Sequence, residues 1–388
     1  MFDYRLSQNE YDEILALKRE IHMHPELAHD EFGTTALIRD YLAGLPDFAL
    51  LGEQPETGLV VRIEGDGTGR EVMLRADIDA IQQTEEYDSP WRSVNDGVMH
   101  ACGHDFHTAA LLGAARVLQR AKDTGSLKNT VDLVFQPAEE GTTGARMLIE
   151  NGLFEVASPD AVFGLHNWPS VGLGRVVCHP GHLMAGKRSF EIMITGSGGH
   201  GSMPHLNRDP IVCSANVIQA LQTVVSRNTD PADALVLSIS MIEGGRPVNV
   251  VADNVRIVGT IRSLSDKALD NAITRVEAIV VNASEAFGVS GEVSWQPKIP
   301  ALNNSPALMD HCVKCVRDTG LEPTDCQPGL ASEDFALYQS IVPGFYYWMG
   351  CTPEGECQAK LHSPDYHTDD SLLGKAAELL ARTAGEYR

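Results

Sequence analysis

Short apolar segments that alternate with helical patterns constrain the fold of this chain more than any other feature. Segments 59–63, 72–76, 131–135 and 161–165 have the length and apolar content of buried strands. Helical patterns lie between them, and one of these begins after His107. Strands that alternate with helices form a mostly parallel sheet with helices on both faces. The sequence therefore predicts an α/β fold built on a mostly parallel mixed sheet.

The middle of the chain follows a different pattern. Strand patterns cover 190–195, 235–239 and 255–261, and helical patterns cover 210–225 and 269–287. This order is typical of a split βαβ, or α+β, module inserted into another domain. The first pattern returns after residue 297 and ends with a helix over 371–386. We predict a catalytic domain in two parts, 1–184 and 299–388, and an inserted domain over 185–298.

Composition excludes several classes of partner. The 388 residues carry a formal net charge of −23, which argues against binding to nucleic acid or to an anionic membrane surface. No apolar run reaches the length of a membrane span. The first residues lack the basic start and apolar core of a secretory signal, and the eight cysteines are scattered. We therefore expect a cytoplasmic protein with reduced thiols.

Acidic and histidine side chains follow the ends of three predicted strands. Asp77 and Asp79 follow segment 72–76, Glu139 and Glu140 follow 131–135, and His166 follows 161–165. Ligands of such sheets bind beyond the carboxyl ends of the strands, so these residues are expected on one rim. One carboxylate of the Glu139–Glu140 pair can bind a metal while the other acts as a general base. A solvated acidic loop is the alternative for that pair.

The segment His-Ala-Cys-Gly-His-Asp-Phe-His at 100–107 adds metal-binding groups to this rim. Cys102 and His104 supply thiolate and imidazole, which zinc and similar divalent ions favour. His362 lies in a loop before the last helix. Together, a cysteine, three histidines and a glutamate form a plausible ligand shell for two ions that share a water molecule: Cys102, His104, Glu140, His166 and His362.

Less specific interpretations apply to several of these residues. His166 could be a hydrogen-bonded polar residue at a strand end, and His362 could be a histidine of a surface loop. Cys312 and Cys315 have the spacing of a buried helix face. The alternative is a structural zinc site that these two cysteines form with Cys326.

Eight motifs recur in one order along nearly the whole chain. They are HMHPEL at 22–27, RADIDA at 75–80, HACGHDFHT at 100–108, QPAEEG at 136–141, GLHNWP at 164–169, GHGSMPH at 199–205, SEDF at 332–335 and LHSP at 361–364. Together they closely resemble the aminoacylase-like metallo-amidohydrolases. This group contains hippurate hydrolases, auxin–amino acid conjugate hydrolases and N-acetyldiaminopimelate deacetylases.

The resemblance implies a zinc-exopeptidase-like fold with two divalent ions per subunit. Zn²⁺ or Mn²⁺ is the first choice for both ions, and Co²⁺ and Ni²⁺ are the alternatives. It implies that Cys102 bridges the ions, that Glu139 is the general base, and that Asp77 and Asp79 support the site. The implied ligands are Cys102, His104, Glu140, His166 and His362.

For the inserted domain, the resemblance implies a lid that also forms a homodimer or a dimer-based homo-oligomer. His200 matches a histidine that reaches the active site of the partner subunit, and Asn249 matches a residue that contacts the substrate. Arg262 matches a residue that binds the substrate carboxylate, and a strand residue paired with a surface acid is the alternative. The sequence departs from the pattern of the family at Ile81 and Gln82, which replace a common Leu-Pro, and at Ala252, where relatives often carry Pro; Gln82 lies near the expected pocket.

These observations predict a binuclear-metal amidohydrolase that splits N-acyl amino acids into a carboxylic acid and a free amino acid. A dipeptidase or carboxypeptidase on the same scaffold is the enzymatic alternative. A metal-dependent binding protein without catalysis is the alternative from another class, and the intact Glu139 argues against it.

Overall fold

The computed structural model describes residues 2–352 and 360–388. The α-helices in these ranges are α1 (Gln8–Met23), α2 (Phe32–Ala43), α3 (His104–Asp123), α4 (Gly144–Glu150), α5 (Leu153–Val156), α6 (Pro210–Asn228), α7 (Asp266–Ala286), α8 (Met309–Asp318), α9 (Ala336–Gln339) and α10 (Leu373–Gly385). None of the helices within these ranges has the length and apolar character that a membrane crossing requires.

The described residues form eighteen β-strands. They are β1 (Phe48–Leu50), β2 (Leu59–Ile63), β3 (Glu71–Asp77), β4 (Ile81–Gln82), β5 (Val98–Met99), β6 (Thr130–Gln136), β7 (Ala161–Gly172), β8 (Arg175–Val177), β9 (Gly181–Met184), β10 (Gly186–Thr195), β11 (Gly199–His200), β12 (Leu235–Gly244), β13 (Val250–Val251), β14 (Asn254–Ser263), β15 (Ser290–Trp295), β16 (Leu302–Asn304), β17 (Glu322–Thr324) and β18 (Gly344–Thr352).

The chain divides into two compact units, each built from more than one segment. The first contains Met1–Gly181, Asn303–Gln327 and Asp334–Arg388. The second contains His182–Leu302 and Pro328–Glu333. The domain limits expected from the sequence, at residues 185 and 298, stay a prediction.

An eight-stranded sheet forms the centre of the first unit, in the order β1-β2-β6-β3-β7-β18-β8-β17. The four central strands, from β6 to β18, run parallel. Antiparallel pairs occur toward the edges, between β1 and β2, β2 and β6, and β8 and β18. This arrangement confirms the α/β class and the mostly parallel mixed sheet.

Helix α3 is almost entirely buried, because small residues allow its neighbours to approach closely. At Gly113 a β-carbon would lie 2.7 Å from the Cβ of Ala377 on α10. A larger residue at position 113 would therefore push the two helices apart. The helix begins at His104 and not after His107, as the sequence suggests, because the carbonyl of Gly103 already accepts hydrogen bonds from the N–H groups of Phe106 and His107.

His166 lies inside a strand, whereas the sequence places it just beyond one. Strand β7 continues past Leu165 to Gly172 because β18 pairs with it, with Trp348 opposite His166. The side chain of His166 is consequently fixed by the sheet rather than carried on a loop. This long-range pairing leaves no local signal in the apolar pattern of 161–165.

The second unit contains an antiparallel sheet in the order β12-β14-β10-β15. In chain order its main elements are β10, α6, β12, β14, α7 and β15, which is the predicted split βαβ pattern. Alternate residues of β10, including Ile192 and Ile194, pack against α6 and α7 in one hydrophobic core. This unit therefore has a core of its own.

Candidate metal centre

The carboxylate of Asp79 organises one side of the centre. It accepts hydrogen bonds from the backbone N–H groups of Glu139 (3.1 Å) and Glu140 (3.0 Å). The same carboxylate lies 3.3 Å from Nδ1 of His104. Within residues 2–352 and 360–388, the buried Nε2 of His104 has no hydrogen-bond partner. Asp79 thus fixes the turn after β6 and leaves one imidazole nitrogen available to a ligand.

His166 is held by a backbone carbonyl, whereas His104 is held by the side chain of Asp79. Its Nδ1 donates a hydrogen bond to the carbonyl oxygen of Asn167 at 2.6 Å, so Nε2 keeps its lone pair. That Nε2 lies 3.4 Å from Sγ of Cys102. Burial lowers the pKa of His166 to about 3, so the ring is neutral, which is the form that binds metals.

Glu140 and His362 form the more open side of the centre. Nε2 of His362 lies 3.1 Å from Oε1 of Glu140, and the side chain of His362 is half exposed. The backbone N–H of His362 donates to the carbonyl of Ala101 at 2.8 Å. The φ angle of His362 is +65°, an uncommon conformation for a residue with a β-carbon. This histidine is therefore positioned by its loop.

These five residues form two trios that share one thiol. In each trio the ligand atoms lie within 4.8 Å of one another, and the trios are Cys102–His104–His166 and Cys102–Glu140–His362. Glu139 belongs to a neighbouring group with His104 and Glu140. The donor set of one thiol, three imidazoles and a carboxylate suits a borderline-soft divalent ion. The Nε2 of His104, which makes no hydrogen bond among the described residues, is available to bind such an ion.

Negative charge dominates the electrostatics of the centre. Burial lowers the pKa of His104, but Asp77, Asp79 and Glu140 outweigh burial and raise that pKa to about 10. Burial and the nearby carboxylates Glu140 and Glu139 raise the pKa of the Cys102 thiol well above its usual value. Positive charge in this cluster, whether a proton or a cation, is therefore favourable.

Asp77 supports the centre from the end of β3. Its Oδ1 accepts from Nδ1 of His107 at 2.6 Å, and its Oδ2 accepts from Nη1 of Arg75 at 2.6 Å. Nε2 of His107 in turn accepts from the N–H of Asn167 at 2.9 Å. Both nitrogens of His107 are thus occupied, so this ring orients its neighbours rather than offering a ligand.

The cysteines of α8 do not form a metal site within the described part of the chain. Cys312 and Cys315 are buried in the hydrophobic core, while Cys326 is partly exposed. Burial raises the pKa of Cys315 to about 12, so it remains a neutral thiol. Among the residues that the structure describes, no group of three potential metal ligands includes Cys312, Cys315 or Cys326. The buried helix face, and not the structural zinc site, is the interpretation that agrees with the structure.

The three residues predicted to contact substrate lie in the second unit. His200 is exposed, and its Nδ1 lies 2.8 Å from the hydroxyl of Ser202. Asn249, also exposed, accepts from the N–H of Gly201 at 2.8 Å. Arg262 donates to the carbonyl of Leu330 and the hydroxyl of Ser332 at 3.0 and 3.2 Å. Among the residues that the structure describes, no carboxylate forms an ion pair with Arg262.

Glu31 lies beneath the Glu139 turn and was not among the site residues predicted from the sequence. Its buried carboxylate accepts from the N–H of Ala138 at 2.8 Å. Ala138 has a φ of +55°, and this strained conformation directs the two following glutamates. A glutamate outside any apolar pattern gives no local sign of burial, so no signal in the sequence identified this contact.

Comparison with known proteins matches one family model to most of the chain. The model of peptidase family M20/M25/M40 matches residues 73–386. The chain belongs to this family. As a member of this family of hydrolases, it is an enzyme that cleaves amide bonds.

Relatives within the M20/M25/M40 family cover nearly the whole chain. An N-acetyl-L-cysteine deacetylase of Bacillus subtilis is 37% identical over 372 residues, which is 96% of this chain and 87% of the relative. An IAA-amino acid hydrolase (ILR1-like 4) of Arabidopsis thaliana is 36% identical over 97% of this chain and 86% of the relative. The crystal structure of the YXEP protein of Bacillus subtilis, described as a dinuclear metal binding peptidase, superposes with a TM-score of 0.84 at 32% identity, covering 98% of this chain and 99% of that one.

Proposed function

We propose that this enzyme hydrolyses the amide bond of N-acyl amino acids and releases a carboxylic acid and a free amino acid. The observation that carries the proposal is the pair of trios that share Cys102, with Glu139 beside them. The names of the relatives support the substrate class, because a deacetylase of N-acetyl-L-cysteine and an IAA-amino acid hydrolase both act on acylated amino acids.

We propose that each subunit binds two divalent ions. Zn²⁺ or Mn²⁺ is the first choice for both ions, and Co²⁺ and Ni²⁺ are the alternatives. Cys102, His104 and His166 would hold one ion, and Cys102, Glu140 and His362 would hold the other. The free Nε2 of His104 and the neutral ring of His166 support this assignment. Ions bound there would polarise the amide carbonyl and lower the pKa of water.

Glu139 is the proton carrier in this proposal. Its carboxylate is nearly buried, and its backbone is held by Asp79, so the side chain has a fixed approach to a water molecule. Glu139 would accept the proton of the attacking water and then deliver it to the leaving amine. The adjacent Glu140 takes a different role because its carboxylate is engaged with His362.

We assign substrate contacts to the second unit. Arg262 would bind the carboxylate of the amino acid part through a two-pronged ion pair, which a guanidinium is suited to form. Its lack of an acidic partner among the described residues supports this role. His200 would donate a hydrogen bond to the developing oxyanion, and Asn249 would help to orient the substrate.

The proposal is tested by hydrolysis of N-acetyl and N-benzoyl amino acids before and after removal of metal. A chelator should abolish turnover, and added Zn²⁺, Mn²⁺ or Co²⁺ should restore it. Glu139→Gln should retain the metal and lose roughly 10²–10⁴-fold in kcat, the usual contribution of a general acid–base. Full activity of the metal-free protein would contradict the proposal, and unimpaired turnover by Glu139→Gln would contradict the role of Glu139.

A peptidase acting on unblocked dipeptides is the second candidate, because the family and the YXEP structure are both described as peptidases. The two candidates differ in the group on the substrate nitrogen. Comparison of kcat/KM for an N-acetyl amino acid and for a free dipeptide with the same C-terminal residue separates them. Preference for the dipeptide would favour the second candidate.

We further propose a cytoplasmic location. The cysteines that the structure describes are free thiols, including four buried ones of the first unit: Cys102, Cys178, Cys312 and Cys315. Free thiols in this number suit a reducing compartment. Labelling of unreduced protein with a thiol reagent after denaturation would measure the number of free thiols directly.

A further inference from the structure

His22 forms a buried ion cluster next to the metal centre without belonging to it. Its Nδ1 lies 2.9 Å from Oδ2 of Asp105, and its Nε2 lies 3.2 Å from Oε1 of Glu85. Glu85 and Asp105 are nearly inaccessible to solvent. Because a carboxylate faces each ring nitrogen, both nitrogens donate and the ring carries a positive charge. We call His22, Glu85 and Asp105 the His22 triad.

The His22 triad connects three separate segments of the first unit. His22 is in the last turn of α1, Asp105 follows the ligand His104 on α3, and Glu85 lies on the loop between β4 and β5. Oε2 of Glu85 also accepts from the N–H of Ser93 at 2.7 Å. The triad therefore fastens the β4–β5 loop to the two helices at a buried point.

The same loop supports the segment that carries His362. The side chain of Gln83 donates through Nε2 to the carbonyl of His362 at 2.9 Å. The N–H of Glu86 donates to the carbonyl of Pro364 at 2.7 Å. These two contacts lie on either side of Glu85 in the sequence. Displacement of Glu85 would consequently loosen both contacts to the His362 segment.

We propose that Gln83, Glu85 and His22 are positioning residues for His362, and that they set the affinity of the Cys102–Glu140–His362 trio for its ion without contacting that ion. This inference rests on the proposed function, because it takes that trio as one of two ion sites. It assigns a role to His22, the first histidine of the HMHPEL motif, which the catalytic mechanism does not use.

The effect should be confined to one ion. The imidazoles of the Cys102–His104–His166 trio are fixed by Asp79 and by the carbonyl of Asn167, and neither contact involves the β4–β5 loop. His362, in contrast, is half exposed and has an uncommon backbone conformation. Removal of an outer partner of a metal ligand typically weakens metal binding about 10- to 100-fold.

The experiment measures Zn²⁺ binding to metal-free enzyme by competition with a chromophoric chelator. The variants are Gln83→Ala, Glu85→Gln and His22→Gln. His24→Gln is the matched control, because His24 lies two residues from His22 but is exposed and pairs with Glu20 on the surface. Thermal unfolding of each metal-free variant shows whether its fold is retained.

Wild type and His24→Gln should bind two ions in two steps. In Gln83→Ala and His22→Gln the weaker step should shift about 10- to 100-fold, while the tighter step is unchanged. Turnover by these variants should recover when the Zn²⁺ concentration is raised. Gln83→Ala is the decisive variant because it leaves the buried triad intact, so a change in folding does not explain its result.

Unchanged binding steps in Gln83→Ala and His22→Gln would overturn the inference. Equal weakening of both steps would also overturn it, since that result indicates a general distortion of the centre. Failure of the proposed function has a different signature, because wild type itself would then bind fewer than two ions or would cleave the amide without them.

Discussion

At the residue scale, Asp79 determines more of the site geometry than any single ligand does. One carboxylate contacts the backbone of both glutamates and the ring of His104. Contacts of this kind, made by residues behind the metal ligands, fix the tautomer and the direction of a ligand side chain. They explain why the candidate metal centre forms beside the RADIDA motif at the end of β3. The ligands of this centre are therefore positioned in advance.

We predict that Asp79→Asn weakens both catalysis and metal binding. An amide nitrogen would face one of the N–H groups of Glu139 and Glu140, so one donor would lose its acceptor. We expect kcat/KM to fall about 10- to 100-fold, together with loss of metal during dialysis. Asp88→Asn, an exposed change in the same part of the chain, is the control. Normal turnover with both ions retained would contradict this prediction.

A second prediction at this scale concerns pH. Burial lowers the pKa of His22, but Asp105 and Glu85 outweigh burial and raise it to about 9, from 6.5 for the free side chain. Lys18 and His100 are the other titratable groups near the ring. A group whose pKa is raised on folding stabilises the fold below its unfolded pKa and loses that effect as pH rises through the folded value.

The difference in free energy of unfolding between wild type and His22→Gln should therefore be largest below about pH 6.5 and should decline as the pH rises through about 9. Its pH-dependent part should reach about 3 kcal/mol at most. Urea unfolding of both proteins in the same metal state, at several pH values, measures it. A difference independent of pH would indicate that His22 is neutral in the folded protein.

At the scale of elements, the start of α3 is the critical junction. Gly103 has a φ of +88° and separates the ligand Cys102 from the ligand His104. A β-carbon there would lie 2.8 Å from the hydroxyl of Tyr366 and 2.9 Å from Nδ2 of Asn167. Glycine is thus required both by the backbone conformation and by the space available.

We predict that Gly103→Ala destabilises the protein by about 2–4 kcal/mol, through the left-handed conformation and overpacking together. Gly125→Ala is the matched control, since Gly125 follows the same helix with a φ of +66° and nothing within 4 Å of the added carbon. That variant should lose only the conformational part, about 1–2 kcal/mol. Chemical unfolding of the two variants separates the conformational part of the destabilisation from the overpacking part. Equal losses in the free energy of unfolding would show that the contacts with Tyr366 and Asn167 relax freely.

At the scale of the whole molecule, the second unit supplies the residues assigned to the substrate. His200 lies on the two-stranded pair β11–β13, and its side chain is exposed and lies beside the hydroxyl of Ser202. The resemblance to metallo-amidohydrolases implies that this histidine acts on the site of a partner subunit. We therefore propose that the dimer, rather than the single chain, is the active species.

We predict that inactive Glu139→Gln and His200→Ala proteins complement each other after they are mixed and exchanged. In the heterodimer, one site would combine an intact Glu139 with the intact His200 of the other chain. An equal mixture should regain about a quarter of wild-type turnover if the subunits pair at random. No recovery in purified heterodimers would show that His200 acts within its own chain.

The sequence predicted much of the fold because each element carried its own local signal. The α/β class followed from apolar segments that alternate with helices, and the α+β order of the second unit followed from its periodicity. The predicted start of α3 and the predicted end of β7 were wrong. The start of α3 depends on the left-handed Gly103, and the extension of β7 past His166 depends on its partner strand β18. Such determinants act through the backbone and through distant pairing.

The chemistry of the ligands was also predictable from the sequence, since cysteine, histidine and glutamate occur together in a series of motifs typical of one family. Which atoms meet was decided only by tertiary structure. Local patterning shows that a residue is polar, but it does not show that Glu31 or His22 is buried, or which carboxylate faces it. Burial and charge pairing arise when distant segments pack together, so the sequence determined the reactive groups and the fold determined their partners and their charge.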